Sequence, residues 1–420
     1  MRVLWFTSSP CGYIQTKENR GYNGCGWMGA IESEIKKCED IELGVCFPMD
    51  GQTFKANVDN VTYYPIRNHK KTFKDKIIDA IKYNDVTRDR AVWGQYIRQI
   101  DEAVADFKPD VIEIFGSEVY IQLAALTARD IPKILHIQGV LNPIFNTLMP
   151  YSVSIRDYYF ADCNPINIYK RYMDVQYWKR NCYREQTIIS NISFFLGRTR
   201  WDERIIQVLN PEAKYYYGEE ILRSVFYEER ERKLPEKLTI VTTISAPFYK
   251  GYDLVLKTAH ILKNRLNVDF CWKVFGNVAP TFIEKMLKLK HENLNVSLEG
   301  VVDADRLKSE LMNCTLYVHT SYIEDGCNSI IEAQLSNCTS IANYVGGLPT
   351  TISDGETGYL VPSNDPFQTA YLIQKLYRNP NLNLQIGRQA RVVAMQRHDK
   401  KKIVDELIKV YKDIIYNNEV

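Results

Sequence analysis

Short apolar runs alternate with amphipathic stretches along this chain, and they fall into two series. The first holds VLWF, DVIEIF, KILHIQG and SFFLG; the second holds LTIVTTI, FCWKVFG, NVSLEG and LYVHT. Short apolar runs separated by helical periodicity are what parallel strands joined by crossover helices require. Between the two series lies YEERERKLPEK, Tyr227 to Lys237, a charged, Pro-containing segment that reads as a linker. The pattern predicts one open α/β domain on each side, spanning 1–226 and 238–400. A length of 420 residues agrees, because chains beyond about 250–300 residues outgrow a single core.

Composition supplies both cores: 45% of the residues are hydrophobic, 12% aromatic and 25% charged, with no low-complexity tract. A net charge of +2 removes the general electrostatic case for nucleic acid, which needs a strongly basic face. The 10 cysteines are scattered, with no Cys-x-x-Cys and no His-Cys cluster, so they read as reduced thiols of a cytosolic chain. MRVLWFTSSP has too short an apolar run for a signal peptide, and no segment approaches the about 18 apolar residues of a membrane span. The final segment, KKIVDELIKVYKDIIY, sets Ile403, Val404, Leu407, Tyr411, Ile414 and Ile415 on one helical face. Such a stripe must dock, and the helix 403–420 is expected to pack back onto the first domain.

The stretch SYIEDGCNSIIEAQ, Ser321 to Gln334, carries the most chemistry. In open α/β sheets ligands bind beyond the carboxyl ends of strands, where helix N-termini converge. A helix starting near Cys327 aims the free amides of Asn328 and Ser329 at an incoming anion, and Gly326 permits close backbone approach. Glu332 lies one turn inside that helix and can accept two hydrogen bonds from a vicinal diol such as ribose. Glu324, in the preceding loop, reaches a second polyol across the same phosphates, so the gap between the two acids measures a nucleotide sugar. Glu-x7-Glu alone arises by chance in most chains of this length. Upstream, ISAPFYKGYDLVLKTA puts Lys250 and Gly251 at another strand-to-helix junction, where a lysine can neutralise a leaving diphosphate, although a solvated lysine at a helix start looks the same.

These segments together resemble the retaining glycosyltransferases of family four, over nearly the whole chain. The Glu-x7-Glu signature of that family matches Glu324 and Glu332, its NSxxEA helix matches Asn328 to Ala333, and its Lys-Gly matches Lys250 and Gly251. IEIFGSE, GRTRWDE and YGEEILRSVFY look similar to a bacterial subgroup that builds surface polysaccharides. The resemblance implies the GT-B fold: two Rossmann-like, doubly wound parallel-sheet α/β domains facing a central cleft. It also implies a donor-binding second domain and an acceptor-side first domain. One departure stands out, because relatives carry an arginine five residues before the lysine and this chain has Ser245. Arg198, in FLGRTRW, is expected to replace that cation in part from across the cleft, with a structural ion pair as the alternative.

The resemblance also assigns residues of the first domain. In RGYNGCGWMGAIESEI, Gly24 and Gly26 precede an amphipathic helix and become a donor-facing loop; with Gly29 one residue early, this is not a Gly-x-Gly-x-x-Gly fingerprint. In KILHIQGVLNP, Gln138 holds the place of a histidine that contacts the transferred sugar in relatives. His136 lies two residues earlier on the same strand face and is either a second sugar contact or a satisfied core histidine. HKKTFKDKIIDAIKY and IYKRYMDVQYWKRNCYR mix basic and aromatic residues, as solvated faces do and as a surface near anionic headgroups would. The Asp-x-Asp of VDADR reads as a helix cap at Asp303 rather than a metal motif.

The reading is a hexosyltransferase that moves a sugar from a nucleotide diphosphate donor, UDP-linked in preference to GDP-linked, to a glycan or lipid-linked acceptor of bacterial polysaccharide synthesis. Glu324, Lys250 and Arg198 are its expected catalytic residues. Gly24, Gly26, Lys250, Glu324, Asn328, Ser329 and Glu332 are its expected donor-binding residues, and His136 and Gln138 face the sugar or acceptor. No metal and no other cofactor is expected, and the site of action is cytoplasmic, peripheral on the inner face of the membrane. The rivals are an inactive sugar-nucleotide binding module and a sugar-nucleotide epimerase of the same fold.

Overall fold

The computed structural model describes residues 1–420 apart from 14–25, 52–53, 129, 230, 246–247 and 420. They group into two compact units. One comprises Met1–Phe145, Tyr169–Ile221 and Asp399–Val420; the other comprises Asn146–Ile168 and Leu222–His398.

The first unit is built on eight strands: β1 (Arg2–Phe6), β2 (Glu42–Met49), β3 (Ala56–Val58), β4 (Val61–Arg67), β5 (Val111–Phe115), β6 (Lys133–His136), β7 (Phe194–Gly197) and β8 (Lys214–Tyr217). Their order is β3-β4-β2-β1-β5-β6-β7-β8, and every pairing is parallel except the β3/β4 hairpin. Strand β4 hides from a periodicity search because Pro65 interrupts VTYYPIR. Pro65 lacks an amide hydrogen, but β3 pairs only as far as Tyr63, so no ladder bond is lost.

Alternating residues of β1 feed two cores, Leu4 and Phe6 on one face and Val3 and Trp5 on the other. The second of these faces is covered in part by the helix Lys400–Glu419. Its buried stripe Ile403, Val404, Leu407, Tyr411 and Ile414 joins Val3, Trp5 and Ile31 in one cluster. Tyr411 carries a polar atom into this core and finds partners for it: Trp5 Nε1 donates to its hydroxyl at 3.0 Å, and the hydroxyl donates to Glu113.

The second unit holds β9 (Leu238–Thr243), β10 (Phe270–Phe275), β11 (Val296–Gly300), β12 (Leu316–His319), β13 (Ser340–Asn343) and β14 (Tyr359–Val361). The order is β11-β10-β9-β12-β13-β14, all parallel. β9 connects towards β10 on one side and has β12 on the other, so the chain reverses direction across the sheet between β9 and β12. That topological switch point opens a crevice beyond the carboxyl ends of these two strands.

Two boundaries differ from the sequence reading. Tyr227 to Lys237 is not a free linker: Tyr227 packs against the second sheet's core next to the buried Phe226, and Arg232 is almost fully covered. Its guanidinium donates to the carbonyls of Cys314, Thr315 and Asn337 at 2.6, 3.1 and 2.7 Å, just ahead of β12 and β13. The high charge of the segment suggested solvent, whereas its arginine satisfies strand-entry carbonyls. Asn146–Ile168 also groups with the second unit rather than with 1–226. There Tyr158 packs edge-on against Phe248 and Phe282, and Lys285 Nζ donates to the Ala161 carbonyl at 2.6 Å.

Candidate functional site

The switch point of the second sheet is assembled by three loops that touch backbone to backbone. After β9 a short turn, Phe248–Lys250, enters the helix Tyr252–Asn264 through Gly251. Gly251 has φ +78°, and a Cβ there would fall 2.0 Å from the Thr320 carbonyl oxygen, so only glycine lets the loops meet. They are stitched by Thr320 Oγ1 donating to the Lys250 carbonyl at 3.0 Å and by the Tyr322 amide donating to the Tyr249 carbonyl at 2.7 Å. From β13, Asn343 Nδ2 donates to the carbonyls of Thr320 and Ser321, each at 3.0 Å. The Gly347 amide donates to the Glu324 carbonyl at 2.9 Å, beside Gly346, whose φ of +52° leaves no room for a Cβ against that same carbonyl. Glu324 is therefore fixed through its backbone before its side chain makes any contact.

That side chain is buried and meets a lysine and a histidine. Lys250 Nζ donates to Glu324 Oε1 at 2.6 Å, and His319 Nε2 lies 3.1 Å from the same oxygen. Both bonds fall on Oε1, and Oε2 takes no hydrogen bond from the described residues. Burial works against the charge on Glu324, yet Lys250 and His319 outweigh it and hold the carboxyl well below the usual carboxylate range. Burial likewise works against the ammonium of Lys250, and Glu324 overcomes it, keeping the lysine charged above its ordinary range. His319 is pushed up to about 9: its burial favours the neutral ring, but the charges and hydrogen bonds of Cys327 and Glu324 prevail.

The helix Asn328–Leu335 begins beside this cluster, with Cys327 as its cap residue. Asn328 and Ser329 stand in its first turn with partly open side chains, and the first-turn amides of a helix favour an anion. Ser329 Oγ accepts from Tyr317 OH at 2.9 Å, and Tyr317 OH lies 3.3 Å from His319 Nδ1, so the helix start connects through Tyr317 and His319 to Glu324. Glu332 lies on the same helix, buried, and Arg223 grips it in a fork, Nε and Nη2 donating at 2.9 and 2.8 Å. Burial raises the Glu332 pKa against the pull of Arg223.

His319, Glu324 and Cys327 are, among the described residues, a group whose donor atoms come within metal-binding reach of one another. The Lys250 ammonium, 2.6 Å from the same carboxylate, already supplies the positive charge and repels a divalent ion. Asp303 caps the helix Ala304–Met312, accepting from the Arg306 amide at 2.8 Å, as its place in VDADR suggested.

The sequence singled out Lys250, Glu324, Asn328, Ser329 and Glu332, and the fold gathers them on two neighbouring strand ends and one helix. The first unit's candidates meet different surroundings. Arg198 is almost fully covered and forms an ion pair with Glu220, which is itself completely buried. The expectation of a cation serving a diphosphate thus meets an arginine ion-paired with Glu220, the alternative the sequence left open. His136 is also buried: Nδ1 sits 2.8 Å from Glu113 Oε1, and its ring packs against Trp27 and Phe115. Gln138, past the end of β6, is partly open, with Nε2 3.4 Å from the Met28 sulfur. Gly26 opens the helix Gly26–Ile35 with φ +57°; Gly24 lies outside the described residues.

Sequence reasoning passed over His319, Cys327, Tyr317 and Arg223. Two signals were available. Tyr317 and His319 sit two apart at the end of LYVHT and so share a face of β12. Cys327 follows His319 by eight residues, a spacing that joins no ligand motif but is closed by the returning loop, which brings Sγ to 3.6 Å from Nε2.

The fold is GT-B, two parallel-sheet α/β units, and HepE of Anabaena in complex with UDP-glucose shares it: TM-score 0.66, 14% identity, 98% of this chain and 100% of that one. Residues 226–393 match the family model described as "Glycosyl transferases group 1". D-inositol 3-phosphate glycosyltransferase of Paenarthrobacter aurescens is 30% identical over 34% of this chain and 36% of its own, so the match spans about a third of that relative. An uncharacterized 41.2 kDa protein in the cps region of Klebsiella pneumoniae is 27% identical over 57% of this chain and 67% of its own.

Proposed function

We propose that this chain is a retaining glycosyltransferase that takes a hexose from a nucleotide diphosphate sugar, with the second unit holding the donor. The carrying observation is Glu324: Lys250 and His319 pin its Oε1, its backbone is locked by two loops, and Oε2 takes no hydrogen bond from the described residues, leaving it for a ligand hydroxyl in this reading. A carboxylate so held costs little to reorganise when a sugar arrives, which is what transition-state stabilisation requires. Lys250 and the first-turn amides at Asn328 and Ser329 neutralise the departing diphosphate, and Glu332, kept in place by Arg223, accepts the ribose hydroxyls. Front-face attack, in which the leaving oxygen takes the acceptor's proton, needs no separate base. Arg198 has a structural task in this reading, because Glu220 holds its guanidinium.

The HepE complex supports UDP as the nucleotide, and the cps-region relative supports polysaccharide synthesis as the setting. No helix among the described residues is long and apolar enough to cross a membrane. Peripheral contact has one favourable element, the helix Phe73–Ile81. Phe73, Ile77 and Ile81 are 79, 45 and 72% exposed and line one face, flanked by exposed Lys74 and Lys76. Asp79 turns inward to Lys71 and Arg180. An apolar stripe edged by lysines suits an anionic lipid surface, and we assign it that partner on the acceptor side.

The test is a thermal-shift panel of UDP- and GDP-sugars followed by an assay of nucleotide release with and without polyprenyl phosphate-linked glycan. A UDP-sugar is expected to raise Tm and to release UDP when acceptor is added. Tight binding with no release over hours would instead mark an inactive binding module, and sugar conversion without acceptor an epimerase.

A further inference from the structure

The cluster around Glu324 contains a buried ring whose protonation the hydrogen bonds themselves dictate. Glu324 is ionised and can only accept, so His319 Nε2, 3.1 Å from Oε1, must carry hydrogen. On the other side of the ring, Tyr317 OH donates to Ser329 Oγ at 2.9 Å, which leaves the phenol oxygen to accept. Its acceptor capacity faces Thr243 Oγ1 at 2.8 Å and His319 Nδ1 at 3.3 Å. With the phenol hydrogen directed at Ser329, Nδ1 is the group that donates across this contact. Cys327 Sγ lies 3.6 and 3.7 Å from the two ring nitrogens, where a doubly protonated ring would donate to it.

We propose that His319 is a positioning residue of the donor site, a buried imidazolium that ties Glu324 to the first turn of the helix Asn328–Leu335 and supplies the second positive charge that Ser245 does not. The inference rests on the donor reading given above. Lys250 and His319 share one carboxylate, so the trio keeps one net positive charge at the point where the helix amides converge. Ser245, two residues past the end of β9, is exposed and uncharged. The second cation thus comes from beneath the site, on β12, and acts through Glu324 and Ser329 rather than by touching the diphosphate.

The groups facing His319 are Lys250 beyond Glu324, Glu324 itself, Tyr317 on its own strand and Cys327 at the helix cap. Lys250, Tyr317 and Glu324 titrate outside the working range, leaving the imidazole and the thiol. The experiment is calorimetric binding of UDP to the full chain from pH 6.5 to 9.5, for the wild type, His319→Gln and Cys327→Ser. His319→Gln is expected to bind UDP about ten-fold more weakly at pH 7. It should also lose the fall in affinity that the wild type shows towards pH 9.5; uracil's own titration appears in every curve and cancels in the comparison. Cys327→Ser is expected to keep that fall. Equal affinity and equal slope in His319→Gln overturn the proposal, as does a slope that vanishes in Cys327→Ser. If His319→Gln does not fold, ¹⁵N-histidine NMR of the wild type decides: both ring nitrogens protonated at pH 8 support the imidazolium, and one neutral tautomer refutes it. Wild-type chain that binds no UDP at pH 7 overturns the donor reading itself, an outcome distinct from an unchanged variant.

Discussion

Each sheet buries one histidine against one glutamate, and the two pairs serve different ends. On the first sheet His136 and Glu113 stand 2.8 Å apart on neighbouring strands, and the remaining valences close inward on Tyr411 and Trp5. On the second, His319 and Glu324 stand 3.1 Å apart, but Glu324 lies in the loop past the strand end and its bonds run on to Lys250 and the helix start. The first network runs from Glu113 through Tyr411 to Trp5 in the core. The second runs on to the helix start, where we propose that an anion binds. A buried polar pair announces function only when its last partner faces a ligand.

The comparison can be broken at several points. The largest expected effect belongs to Arg198→Ala, which takes an ion-pair partner from the completely buried Glu220 and should cost about 3–5 kcal/mol of stability in denaturant unfolding. UDP affinity of the folded protein should hold, and a selective loss of turnover would return Arg198 to the donor site. Lys250→Ala should next lower UDP release by about a hundred-fold or more, because a donor facing developing charge is lost. Tyr411→Phe removes the hydroxyl shared by Trp5 and Glu113 and should cost about 1–3 kcal/mol with donor affinity unchanged, which sharpens the contrast between the two pairs.

The smallest effect is on stability against pH. His319 titrates near 6.5 unfolded and at about 9 folded, so the folded state binds the proton more tightly. The stabilisation is complete below pH 6.5 and is lost as pH rises to about 9. Tm of the wild type should therefore fall by a few degrees across that window, and His319→Gln should flatten that part of the curve. A wild-type Tm that is level from pH 6.5 to 9 would contradict the charged ring.

Lys250, Gly251, Asn328 and both glutamates were legible because each lies at a junction where apolar periodicity changes from strand to helix, and local pattern marks such junctions. β9, β10, β11 and β12 were legible for the same reason, being short runs rich in apolar and β-branched residues. SIAN and YLV of β13 and β14 were not, since three or four residues with polar members carry no period. Arg232 misled because charge in a sequence suggests solvent, while the carbonyls it satisfies lie some 80 to 105 residues away.

The sequence by itself determined two open α/β domains and the strand-to-helix junctions where an anion site is proposed, since both follow from the order of apolar and polar residues along short segments. Only the tertiary structure decided which charges remain available. Arg198 was taken by Glu220, His136 by Glu113, and His319 was delivered to Glu324 by a loop return. The physical reason is that a charge's partner is set by distance in space and by exclusion of water, and neither is written in the spacing of residues along the chain.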